Sequence, residues 1–91
     1  MRRVCAYPLY EYATLELPAG AKALSIRVRY GAPYLMALVD DAEERKEIRH
    51  FVCFMDDEEI PQGVRVEYVA TVDLSSRDAA HRYHFFEVWD L

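Results

Sequence analysis

Two arginines and a set of aromatic residues are the side chains of this sequence best suited to hold a ligand. Arg27 and Arg29 are two positions apart, so on a β-strand they point to the same face. Guanidinium groups bind phosphates through paired hydrogen bonds, and flat or polarizable side chains stack on bases. The predicted ligand is therefore a small anion of the nucleotide type. The predicted ligand-binding residues are Arg27, Arg29, Tyr34, Met36, Arg49, Phe51, His84 and Trp89.

The same residues allow two other interpretations. The arginines could lie on an ordinary solvent-facing surface and pair with Glu67 or Asp73 on neighbouring strands. Arginine and aromatic side chains are also enriched at protein–protein interfaces, so the set could form a contact between copies of the chain. Arg49 can bind the same ligand as Arg27 and Arg29 only if its strand lies beside that of Arg27 and presents the same face.

Residues with catalytic or metal-binding chemistry lack the spacing that such sites need. His81 and His84 are three positions apart, so on a strand they point to opposite faces and do not easily share an ion. The acidic run at 56–59 lacks the alternate spacing and central glycine of a calcium loop, which favours a solvated turn. The sequence contains neither a nucleophile elbow nor a phosphate-binding glycine loop. We therefore expect no catalytic residue, metal or cofactor, and a nucleotide hydrolase is the least favoured alternative.

The composition restricts the partners and the compartment. A net charge of -5 in 91 residues disfavours a long nucleic acid as partner, because phosphate contacts need a clustered positive surface. No apolar run approaches the roughly 20 residues that span a bilayer, and the first residues lack the pattern of a signal peptide. We expect no membrane association and a cytoplasmic location, with Cys5 and Cys53 as small buried residues in a reducing environment.

The elements that must position these residues are strands. Leu24, Ile26, Val28 and Tyr30 alternate with polar residues, and after Gly31 an apolar run resumes, which predicts a hairpin with a central second strand. The whole chain, residues 1–91, is predicted to be a single all-β domain, a compact sandwich or partly open barrel of about seven strands. The predicted strands lie within 2–9, 10–17, 24–30, 34–39, 48–55, 64–74 and 81–89.

Five stretches carry a resemblance to a known family: LPAGAKALSIRVRYG, YLMALVD, EEIP, VEYVATVDL and YHFFEV. In this order they resemble a family of small uncharacterised proteins found largely in bacteriophages and their hosts, over most of residues 15 to 88. The chain departs from the family pattern at 56–59, where glycines and a histidine are usual, and at Met36, where a tryptophan is frequent. The resemblance implies a phage context and no established activity.

These observations lead to one functional prediction and one non-enzymatic alternative. The chain is predicted to be a non-enzymatic binder of a small anionic ligand. In a phage it would sequester a cyclic-nucleotide signal of host defence in the host cytoplasm. The alternative is a protein–protein interaction or inhibitor module without a small-molecule ligand. Either one is expected to be a homo-oligomer, because 53% hydrophobic residues exceed what a small core hides.

Overall fold

Alternating apolar and polar residues form seven β-strands in the computed structural model, which describes residues 1–10, 12–74 and 81–89. There is no helix within these ranges. The short polar segment after Asp40 begins with a turn. The all-β prediction is confirmed. The strands are β1 (Arg2–Pro8), β2 (Tyr12–Pro18), β3 (Lys22–Arg29), β4 (Ala32–Asp40), β5 (Lys46–Met55), β6 (Arg65–Asp73) and β7 (Arg82–Trp89).

The strands form two antiparallel sheets, and of the two predicted architectures the structure is the sandwich. Sheet A has the order β1-β4-β3, and sheet B has the order β2-β5-β7-β6. The predicted central position of β4 is confirmed. Its consecutive residues Leu35, Met36 and Ala37 are all buried, so both faces of the strand are shielded from solvent, as its continuous apolar sequence predicts. The β3–β4 hairpin organises sheet A alone, since β5 and β7 are the central strands of sheet B.

A two-residue turn joins β3 to β4. Arg29 pairs with Ala32, and the residues between them, Tyr30 and Gly31, have φ angles of 53° and 75°. Positive φ at both positions is the geometry of a type I′ turn, whose twist matches that of the flanking strands. Gly31 thus has the positive φ that such a turn requires, which glycine adopts without steric cost.

The core lies between the two sheets. Its largest fully buried side chains are Leu17, Leu35, Phe51 and Phe85, from β2, β4, β5 and β7. Because residues of a strand alternate between faces, Phe51 and Phe85 fix which residues of β5 and β7 point inward. Odd-numbered residues of these two strands face the core, and even-numbered residues face outward.

A β-bulge in β6 makes the prediction that its alternate apolar residues share one face wrong for the residues beyond the bulge. Alternate positions of this segment are apolar, which predicts that five residues share one face: Val64, Val66, Tyr68, Ala70 and Val72. The pairing with β7 shifts between Tyr68 and Ala70, so that Tyr68 pairs with Phe86 on the outer face. Ala70 and Val72 instead pack against the core, because an extra residue in one strand reverses the alternation beyond it.

Candidate functional site

Four of the predicted ligand-binding residues meet on the outer face of sheet A. Ile26 and Leu35 point into the core, so Arg27 and its register partner Tyr34 point outward. The guanidinium carbon of Arg29 lies 5.8 Å from the centre of the Tyr34 ring, a cation–π contact. We call this surface the arginine face, defined by Arg27, Arg29, Tyr34 and Met36.

The two cations of the arginine face lack carboxylate partners. Arg27 and Arg29 are exposed, and neither forms a salt bridge within the described ranges. The alternative pairing with Glu67 or Asp73 is not observed among the described residues, and Glu67 instead accepts a hydrogen bond from Nε1 of Trp89. The arginines are thus available to an external anion.

Arg49 does not join the arginine face. It lies on β5 in sheet B, points between the sheets and is 8% exposed. Its Nε and Nη2 donate to the two carboxylate oxygens of Glu87, with Nη2 at 2.8 Å from Oε1, and its Nη1 donates to the carbonyl of Ala21 at 2.6 Å. The hydrogen bond to Glu87 raises the pKa of the Arg49 guanidinium above its usual value. This arginine is bound by the fold itself.

Phe51 and Trp89 also lie away from the arginine face. Phe51 is fully buried in the core. The Trp89 ring lies 5.5 Å from the guanidinium carbon of Arg49, and its Nε1 donates to Oε2 of Glu67 at 3.1 Å. These groups border a cavity of about 360 Å³ that also contains Glu47 and Glu87. Protein groups therefore already occupy the hydrogen-bonding positions of Arg49 and Trp89.

His84 lies on the outer face of sheet B and is held by two partners. Its Nε2 donates to Oδ1 of Asp56 at 2.5 Å, and its Nδ1 is 2.9 Å from the Thr71 hydroxyl. Arg82 donates to the same carboxylate, with Nη2 at 2.8 Å from Oδ2. His84 and Arg82 together lower the pKa of Asp56. The acidic run at 56–59 thus contains a residue with specific partners, which its sequence did not indicate.

The larger cavity lies at the end of the sandwich opposite Arg49 and has a volume of about 730 Å³. Its wall is apolar around Leu9, Cys53 and Phe85, and its acidic part contains Asp57 and Glu58. No lysine or arginine of the described residues lines it. A phosphate would meet carboxylates there without a compensating cation, so this cavity is poorly suited to the predicted anion.

The sequence reasoning missed a second exposed surface, on sheet B. Tyr12 pairs with Val52, Val52 pairs with Phe86, and Phe86 pairs with Tyr68, so these four outward side chains form a row across all four strands. The Tyr68 and Phe86 rings are in edge contact, with centres 5.7 Å apart. We call this row and its neighbours the aromatic face. The apolar character of β5 and β7 on both sides was the available signal.

A family model described as "Domain of unknown function (DUF7352)" matches residues 1–91. The chain belongs to this family. Membership in an uncharacterised family, as the resemblance implied, is confirmed, and the phage origin stays a prediction. Comparison with curated proteins and with solved structures finds no match in either group.

Three further structural findings on this DUF7352 member concern the predicted chemistry. The described residues contain no group of three His, Cys, Asp or Glu side chains positioned to hold a metal ion. In the same ranges no helix is long and apolar enough to cross a membrane. Cys53 is buried and Cys5 is half-buried, and no disulfide joins them.

Proposed function

We propose that this protein is a non-enzymatic binder of a small anionic, nucleotide-like ligand, and that the ligand lies on the arginine face. The observation that supports this most directly is a pair of exposed arginines beside the Tyr34 ring that have no carboxylate partner among the described residues. Two guanidinium groups on one strand face can each donate two hydrogen bonds to a phosphate. The half-buried Tyr34 ring offers a flat surface to a base. Met36, on the same side of β4, is only 9% exposed and contributes little accessible surface.

The salt-bridge partners of the other arginines bear on the proposal. This acidic chain has 16 carboxylate residues and 11 lysines and arginines, so carboxylate partners are abundant. Four arginines outside the arginine face are in fact paired with acids. These pairs are Arg3–Asp41, Arg45–Glu43, Arg49–Glu87 and Arg82–Asp56. Arg27 and Arg29 form no such pair with the described residues, a property that they share with Arg2, Lys22 and Lys46. What distinguishes them is that both lie on one strand face beside an aromatic ring.

The finer proposal concerns the biological role. The resemblance of residues 15 to 88 to phage proteins supports a phage context, in which the ligand would be a cyclic-nucleotide signal of host defence. Sequestration in the host cytoplasm requires tight binding and leaves the nucleotide intact. This role is compatible with a site composed of arginines and an aromatic ring.

Calorimetry with a panel of cyclic dinucleotides tests the site. Arg27→Ala and Arg29→Ala should each weaken binding at least about tenfold, since each removes charge-assisted hydrogen bonds. Their melting temperatures should stay near that of the parent, because both side chains are exposed. Arg45→Ala is the matched control, since it removes an exposed arginine elsewhere and should leave binding unchanged.

The state of the ligand separates the functional classes. Intact nucleotide recovered after heat denaturation supports a binder, and an altered nucleotide would instead indicate a hydrolase. Parent-like affinity in both arginine variants would refute the proposed site. Absence of binding by the parent protein would favour the alternative, a protein–protein interaction module, for which the aromatic face is the supporting observation.

A further inference from the structure

We infer that the aromatic face is the surface through which two copies of this chain associate. Its central row, Tyr12, Val52, Phe86 and Tyr68, crosses the full width of sheet B. Two members of this row remain largely in solvent, with Tyr12 53% and Tyr68 58% exposed. Ile48 on the same face is 59% exposed. A contiguous exposed apolar surface of this kind marks an interaction site in a folded protein.

The absence of charge from the centre of this face points to the kind of partner. The rows that flank the central one consist of Thr, His, Val and Phe side chains, and the described residues there include no Asp, Glu, Lys or Arg. Charged partners such as nucleic acids would gain no attraction from it. A second copy carries the same net charge of -5, so an uncharged face is where two copies can meet with the least repulsion.

The size of the face is sufficient for a dimer. Four strands about 4.8 Å apart, each contributing about eight residues of 3.3 Å, give a flat area of roughly 500 Å². Two copies would then bury roughly 1,000 Å², which is the lower limit of a specific interface. Side chains that project from the plane add to this value.

The order of residues along the row is self-complementary. A two-fold axis that runs parallel to the strands, between β5 and β7, places β2 of one copy over β6 of the other. Tyr12 of one copy then lies opposite Tyr68 of the second, twice in the dimer. Val52 and Phe86 form the apolar centre between these two tyrosine pairs.

Sedimentation equilibrium on the full chain tests this inference without any nucleotide. The parent protein should be a dimer at about 100 µM, and Tyr68→Glu should weaken association at least about tenfold, since it buries a charge in the interface. Tyr30→Glu is the matched control, because Tyr30 is fully exposed at the tip of the β3–β4 turn. That variant should remain a dimer.

Circular dichroism shows whether Tyr68→Glu remains folded, and Tyr12→Glu at the opposite end of the row provides a second variant. A parent protein that is monomeric at about 100 µM would overturn the inference. This holds even if the aromatic face then proves to bind a different protein. A dimer retained in both folded variants would do the same. Because these measurements need no ligand, their outcome is independent of the proposed function.

Discussion

Replacement of Glu87 by leucine should strongly destabilise the protein, because it leaves Arg49 buried without its charge partner. The two side chains are 4% and 8% exposed, and two charge-assisted hydrogen bonds join them. Removal of one partner from a buried pair typically costs about 3–5 kcal/mol. A chain of 91 residues has roughly 5–14 kcal/mol of stability in total. The melting temperature should therefore fall by more than about 10 °C.

The double variant Arg49→Met/Glu87→Leu should be less destabilised than Glu87→Leu alone. It removes both buried charges and replaces them with apolar side chains of similar length, which is often close to neutral. The main remaining loss is the hydrogen bond that Arg49 Nη1 donates to the Ala21 carbonyl. An unsatisfied buried carbonyl costs about 1–3 kcal/mol. We therefore expect the double variant to lose about this much free energy of unfolding.

Urea denaturation followed by circular dichroism measures Glu87→Leu, the single variant Arg49→Met and the double variant. The control is the ion pair between Arg45 and Glu43, which lies on the surface, so its removal should have little effect. A loss below about 1 kcal/mol in Glu87→Leu would refute the argument. So would a double variant whose loss equals the sum of the two single losses, since independent sites behave in that way.

Two further predictions concern the turn and the acidic run. Gly31→Val should lower the free energy of unfolding by about 1–2 kcal/mol in urea denaturation, because a φ of +75° is strained for a β-branched residue. The cost comes from the backbone alone, since no atom lies within 4 Å of the added Cβ. A loss no larger than that of Ala32→Val would contradict this prediction. His84 and Arg82 hold the pKa of Asp56 below its ordinary value of 3.8, so Asp56 stabilises the fold above that pH, and this contribution is lost as the pH falls through the lowered pKa. Asp56→Asn should therefore flatten the pH dependence of stability below about pH 4, and equal acid sensitivity in both proteins would disprove the assignment.

Much of the fold could be predicted because it depends on local patterns. The alternation around Ile26, the apolar run of β4 and the turn at Gly31 each determine a conformation within a few residues. The bulge after Tyr68 could not be predicted in this way. Tyr68, Val69 and Ala70 are three apolar residues in a row, which interrupts the alternation without showing which of them is the extra residue. The bulge moves Ala70 and Val72 to the other face.

The predicted site was only partly assembled, because strand pairing is a long-range property. The spacing of Arg27 and Arg29 indicates a shared face, and the hairpin brings Tyr34 beside them. No local pattern shows that β5 belongs to the other sheet. The partner that binds Arg49, Glu87, lies 38 residues away in the sequence. Arg49 resembled a ligand clamp from its type alone, and its burial against an acid could be seen only in the structure.

The position of the Arg49–Glu87 pair has a consequence for how the sandwich opens. At this end of β5 and β7, the pair and its hydrogen bond to Ala21 join sheet B to the segment that leads into sheet A. At the other end, around Met55 and Tyr83, the 730 Å³ cavity separates the two sheets. Local unfolding follows the places with the fewest buried contacts. We therefore expect the sheets to separate first at the cavity end, with the charged pair as the hinge of that motion.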